Sequence, residues 1–165
     1  MILNIVILAL VTLERLAELP IARSNTRRLI AAGGHEVAPG HYPLIVALHA
    51  AWLAALWWLA PGQPVSLPLL ALFGLVELGR GWVLLTLRRR WTTRIIVVPG
   101  ETLVRGGPYR FINHPNYAVV VAEIALLPLV FGLWRTALIF SLLNAAALTI
   151  RIREENRALS VCRPL

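Results

Sequence analysis

Residues 65–87 read Val-Ser-Leu-Pro-Leu-Leu-Ala-Leu-Phe-Gly-Leu-Val-Glu-Leu-Gly-Arg-Gly-Trp-Val-Leu-Leu-Thr-Leu, and Arg88, Arg89 and Arg90 follow at once. This run of 23 residues holds only two charges, Glu77 and Arg80. A helix needs roughly 20 mainly apolar residues to cross a bilayer, and a basic cluster directly after such a run marks the cytoplasmic headgroup level. Four further stretches share its character: 2–22, 43–60, 116–133 and 134–150. The chain therefore reads as an all-α integral membrane protein of five transmembrane helices in a single domain. The last two are short and meet without a polar linker. They read as a tight hairpin turning near 132–135, with Pro128 placed to kink the first of the pair.

Composition points the same way. The 165 residues are 58% hydrophobic and 15% charged, with a mean hydropathy of +0.72. Those values exclude a disordered chain, a disulfide scaffold and an ordinary soluble domain. The net charge is +8, carried by arginine without lysine and opposed by glutamate without aspartate. On so apolar a chain this excess suits an anionic membrane surface. A nucleic-acid partner would need a polar basic face, and no soluble segment is long enough to fold one. The single cysteine, Cys162, excludes an internal disulfide and a CxxC metal site, and no metal is expected. Cys162-Arg-Pro-Leu matches a prenylation box in outline only, because Arg and Pro stand where aliphatic residues belong.

The first stretch lacks a basic n-region and a small-residue cleavage site, and Glu14, Arg15 and Glu18 interrupt it. It reads as a retained helix rather than a signal peptide. Thirteen of the arginines lie after the first, third and fifth helices, and Arg135 stands alone on the other side. The positive-inside rule then puts the N-terminus outside and the C-terminus in the cytoplasm. The largest soluble piece is 88–115. Within it 94–98 reads as a β-strand, 99–100 as a turn and 102–104 as the returning strand.

Ionisable groups at bilayer depth cost roughly 2.5–3.5 kcal/mol each on insertion scales, and this chain places several there. Glu14 and Glu18 share one face of the first helix beside Arg15; Glu77 and Arg80 are on the third, Glu123 on the fourth and His49 on the second. Three readings are open: buried ion pairs that set helix register, a polar cavity for a head group or cofactor, and a proton or ion pathway.

The densest polar patterning is Gly106-Gly-Pro-Tyr-Arg-Phe-Ile-Asn-His-Pro-Asn-Tyr117. Pro115 suits a first helical turn, whose free N–H groups favour an anion or carboxylate. His114 and Tyr117 are three apart, on the spacing of one pocket face. The same residues also fit a Pro-capped helix start with an interfacial belt of Tyr109, Phe111 and Tyr117. A second cluster, Arg151-Ile-Arg-Glu-Glu-Asn-Arg157, ends the fifth helix on the same side of the membrane.

These two clusters, joined by a hydrophobic hairpin, resemble the isoprenylcysteine carboxyl methyltransferase family. Weaker similarity extends to Glu-Arg-Leu-Ala-Glu-Leu at 14–19 and His-Tyr-Pro-Leu-Ile-Val at 41–46, as in a short bacterial branch of that family. The resemblance implies an integral-membrane enzyme that uses S-adenosylmethionine. It implies that His114, Pro115, Tyr117, Tyr109, Arg153, Glu154 and Glu155 line the cofactor pocket, with Glu154 favoured over Glu155 as the direct contact. His114, Glu154 and Arg110 would be catalytic. One departure matters: the family commonly has Arg before His-Pro, whereas this chain has Asn113. Arg110, Arg151 or Arg153 would then orient an acceptor carboxylate. The implied partner is a lipophilic small molecule of alkylpyrone type, methylated on oxygen, or a prenyl-type carboxyl or thiol acceptor, entering from membrane lipid. The reading from another class is a small transport or ligand-binding protein built on Glu14, Arg15, Glu18, His49, Glu77, Arg80 and Glu123.

Overall fold

The computed structural model describes residues 1–102 and 104–161; Cys162 and the three residues after it lie outside them. Of the described residues, 76% are helical, 3₁₀ turns included. Five α-helices follow one another: α1 (Ile2–Ala31), α2 (Tyr42–Leu59), α3 (Leu67–Leu87), α4 (Pro115–Val130) and α5 (Trp134–Val161). Among the described residues, three segments are long and apolar enough to cross a membrane, namely Tyr42–Leu59, Leu67–Arg90 and Trp134–Arg157, while α4 is apolar but shorter. α1 falls outside that set; it carries Glu14, Arg15 and Glu18. The outward faces are apolar: Leu10, Leu75, Leu78, Leu85 and Leu142 are all exposed. That is the surface of a protein whose surrounding medium is hydrocarbon.

The bundle has two different ends. At one, Ile7, Leu8 and Val11 of α1 pack with Trp52 and Leu56 of α2, Phe73 of α3 and Ile124 and Leu127 of α4. The Asn4 amide clamps this end by donating to the Ala60 carbonyl at 2.7 Å and the Gln63 carbonyl at 2.9 Å. Gly132, at φ +69, turns the chain between α4 and α5, a conformation that a Cβ would oppose. The arginine-rich segments gather at the other end.

Two sequence expectations are corrected there. First, α1 does not stop at residue 22 but runs to Ala31 with Pro20 inside it. Arg23, Arg27 and Arg28 therefore ride on helix rather than loop. Proline removes one backbone N–H, but Ala22, Asn25 and Leu29 beyond it are buried, and that packing outweighs one lost hydrogen bond. Second, Ile96–Val97 (β2) does not pair with a strand at 102–104. It pairs antiparallel with His35–Glu36 (β1), with His35 opposite Val97 and Glu36 opposite Ile96; residue 103 lies outside the described residues, and 102 and 104 are not in a strand. The extra turns of α1 deliver β1 to this place. Gly33, at φ +89, ends the helix in the left-handed manner usual for glycine. A Cβ on Gly34 would sit 2.7 Å from the Leu29 carbonyl and 3.0 Å from Val98 Cγ2, so only glycine lets the chain turn this tightly against β2.

Candidate active site

α4 opens at His114, with Pro115 buried in its first turn and the Tyr117 N–H bonded to the His114 carbonyl at 3.1 Å. One turn of helix therefore sets the two side chains together, and the rings stack at 5.2 Å between centroids with 15° between planes. α5 packs beside α4 and brings Arg151 and Glu155, four residues apart, to the same place. The Tyr117 hydroxyl donates to Glu155 Oε2 at 2.5 Å and accepts from Arg151 Nε at 2.9 Å. His114 Nδ1 lies 3.6 Å from the same carboxylate oxygen. Glu155 Oε1 makes no hydrogen bond among the described residues, so one carboxylate oxygen is locked and the other is open.

The preceding loop is tied into this network. Arg151, 7% exposed, also donates to the Thr93 carbonyl at 2.9 Å. The Thr93 hydroxyl is 3.2 Å from the Tyr42 hydroxyl at the start of α2. The Arg94 guanidinium lies 4.4 Å from the Tyr42 ring centroid and forks onto Glu36 of β1 at 2.9 and 2.7 Å. Segments far apart in sequence thus hold a single charged constellation at the end of the bundle. Tyr109 sits in a 3₁₀ turn, Gly107–Arg110. Burial, and then the negative charge of Glu155, pushes its phenol up to about 12, so the hydroxyl is a donor at neutral pH.

The expected site residues divide. His114, Pro115, Tyr117 and Glu155 come together, with Tyr109 close enough to feel the Glu155 charge. Glu154 turns away and pairs with Arg157 at 3.0 Å; the residue on the network is Glu155. Arg153, Arg110 and Asn113 are exposed. Arg151, expected only as an orienter of an acceptor carboxylate, instead ties Tyr117 to the loop. Two members of the network were not among the expected site residues: Thr93 and Tyr42. Tyr42 was signalled by its place in the 41–46 segment. Thr93 meets Arg151 through its carbonyl, which no side-chain pattern announces.

The intramembrane charges form a separate cluster. Arg80 of α3 donates through Nε and Nη2 to Glu18 of α1 at 2.6 and 2.5 Å, and through Nη1 to both oxygens of Glu123 of α4 at 3.1 Å. Arg15 reaches Glu123 at 3.0 Å, Glu18 at 3.5 Å and Glu77 at 3.6 Å, and Glu14 is 3.7 Å from Arg80. His49 is not bonded into this cluster; its Nδ1 is 2.9 Å from the Ile45 carbonyl of its own helix.

Comparison with known proteins adds an independent line. Residues 69–161 match the isoprenylcysteine carboxyl methyltransferase (ICMT) family, a span that includes Arg80, His114, Tyr117, Glu123, Arg151 and Glu155. YpbQ of Bacillus subtilis (strain 168), itself uncharacterized, is 39% identical over 158 residues, 93% of this chain and 94% of its own length. An uncharacterized protein of Haemophilus influenzae is 26% identical over 152 residues, 88% of each chain. No solved structure matches. Members of the family use S-adenosylmethionine. With His114, Tyr117, Arg151 and Glu155 all inside the matched span, the chain belongs to the isoprenylcysteine carboxyl methyltransferase family of membrane methyltransferases.

Proposed function

We propose that the protein transfers a methyl group from S-adenosylmethionine to a lipophilic acceptor at the cytoplasmic border of the membrane. The observation behind this reading is the His114–Tyr117–Glu155–Arg151 network, held where two apolar helices emerge from the bundle. The donor set fits the cofactor. Glu155 offers one free carboxylate oxygen for a ribose hydroxyl while Tyr117 fixes the other. The rings of Tyr109 and Tyr117 supply faces that favour a cationic sulfonium. When bound, the cofactor supplies an activated methyl whose bond to sulfur breaks as a bond to the acceptor atom forms.

The chain's contribution is placement. Arg151 holds the Tyr117 hydroxyl from one side and the Thr93 carbonyl from the other, which fixes α5 against the loop that covers the site. An acceptor carboxylate needs orientation but no base. The exposed Arg110 suits that task where Asn113 replaces the arginine common in the family. A phenol or enol acceptor needs its proton removed, and the His114 imidazole beside Glu155 is placed for it. The preferred acceptor is therefore a lipid-tailed small molecule methylated on oxygen, with an isoprenylcysteine-like carboxyl second. The Glu14–Arg15–Glu18–Glu77–Arg80–Glu123 cluster reads as the fastening of α1, α3 and α4, because each of its two guanidiniums bridges carboxylates on two other helices. In the same reading all five helices lie in the membrane, α4 and α5 as a hairpin, with the N-terminus outside and the C-terminus cytoplasmic.

Calorimetric titration of detergent-purified protein with S-adenosylhomocysteine tests the site. His114→Ala and Glu155→Gln should each weaken binding by about tenfold or more, close to 1.4 kcal/mol. Glu154→Gln should leave affinity within about twofold. Wild-type affinity in both His114→Ala and Glu155→Gln would place the cofactor elsewhere and sink the reading.

A further inference from the structure

The segment that leaves α3 is folded in an unusual way. Arg88 adopts φ +49 and ψ −116, in the half of backbone space that non-glycine residues avoid. Asn25 of α1, itself buried, holds this turn from both ends: its amide donates to the Arg88 carbonyl at 3.2 Å and the Trp91 carbonyl at 2.8 Å. The turn presents Arg88 and Arg89 at a groove of about 340 Å³ between α1 and α3, whose apolar lining is Ile21, Leu84, Leu85 and Trp91. Trp91 is only 4% exposed, and its indole N–H is buried without an acceptor. The neighbouring Arg90 is used up within the chain, on Glu101 at 2.7 Å and the Thr102 carbonyl at 2.8 Å. Arg88 and Arg89 are exposed and have no hydrogen bond or ion pair from their side chains among the described residues. Among the described residues, no acidic side chain lines the groove.

We propose that this groove is a binding site for an anionic phospholipid, distinct from the methyl-transfer site. Arg88 and Arg89 hold the phosphate, the Trp91 ring lines the cleft, and one acyl chain lies along Ile21, Leu84 and Leu85. The occupant is a membrane lipid rather than a soluble anion because the arginines close an apolar helix and the groove walls continue onto an outward-facing surface. Ile21 is 49% exposed and Leu85 is 74% exposed, and both belong against hydrocarbon. Two guanidiniums at a lipid-facing cleft match a phosphate in charge and in donor geometry. The Asn25 clamp and the left-handed Arg88 turn are then the means by which the chain aims both arginines at one spot. Nothing in this proposal depends on methyl transfer.

The test is a titration of delipidated, full-length protein in a neutral detergent with phosphatidylglycerol brominated on its acyl chains, read by quenching of tryptophan fluorescence. The portion of quenching due to Trp91 is the difference between wild type and Trp91→Phe. Brominated phosphatidylglycerol should quench that portion at concentrations about tenfold below those needed for brominated phosphatidylcholine. R88Q/R89Q should raise the concentration required by about tenfold or more; both side chains are exposed, so this variant folds even where Trp91→Phe does not. R27Q/R28Q, which removes two exposed arginines elsewhere on the same end, should bind like wild type. S-adenosylhomocysteine affinity should be unchanged in R88Q/R89Q. Three results would overturn the proposal: wild-type lipid binding in R88Q/R89Q, an equal loss in R27Q/R28Q, or displacement of the lipid by glycerol phosphate at matching concentration. Loss of lipid binding in Glu155→Gln would also overturn it, by merging the groove with the methyl-transfer site.

Discussion

Replacing Arg80 with leucine removes a guanidinium, 5% exposed, that makes four hydrogen bonds to two buried carboxylates. Glu18 keeps only Arg15 at 3.5 Å, and Glu123 keeps only Arg15 at 3.0 Å. One cation then faces carboxylates that the fold has already taken out of water. Breaking one side of a buried ion pair costs about 3–5 kcal/mol, because the partner's desolvation is no longer offset. For a chain of this size each kcal/mol lowers the melting temperature by roughly 2–4 °C, so a loss of about 6–20 °C is expected. Glu77→Gln is the control. Both Glu77 carboxylate oxygens are buried without a hydrogen bond, and the nearest guanidinium nitrogen is 3.6 Å away. Neutralising it breaks no hydrogen bond among the described residues, so it should cost clearly less than Arg80→Leu. The assay is thermal unfolding of each variant in one detergent, followed by circular dichroism. If Arg80→Leu melts within about 2 °C of wild type, or if Glu77→Gln costs as much as Arg80→Leu, the cluster does not fasten the helices and the pairing argument fails.

Two further outcomes follow from the rest of the structure. Single cysteines placed at Gln63 and at Gly100, in a Cys162→Ser background, should react with an impermeant thiol reagent from opposite sides of the membrane; labelling from one side only would contradict the topology. The raised Tyr109 phenol, at about 12 against an ordinary 10, means that the folded state holds this proton more tightly than the unfolded chain. Its contribution to stability is full below pH 10 and is lost as pH rises towards 12. Tyr109→Phe should therefore flatten the alkaline limb of a stability–pH curve in that window, and an unchanged limb would place Tyr109 away from the Glu155 charge.

Much of this protein is legible in the chain alone because the bilayer imposes a coarse rule. Length and apolarity mark α2, α3 and α5 as long and apolar enough to cross a membrane whatever their neighbours are, and the arginine distribution separates the two ends of the bundle. The His114-Pro115-Asn116-Tyr117 helix start and the Arg151–Arg157 run are local patterns, so their chemistry shows in sequence. What the sequence left open depends on contacts between distant segments. That α1 continues past Pro20 was decided by the burial of Ala22, Asn25 and Leu29, which no propensity records. That β2 pairs with His35–Glu36 rather than with 102–104 was decided by where the longer α1 sets down its end. The choice between Glu154 and Glu155 came from the rotation of α5 against α4, because successive helical residues point about 100° apart. A difference of one residue is invisible to composition, and the packing of two helices is what turns Glu155 towards Tyr117 and Glu154 towards Arg157.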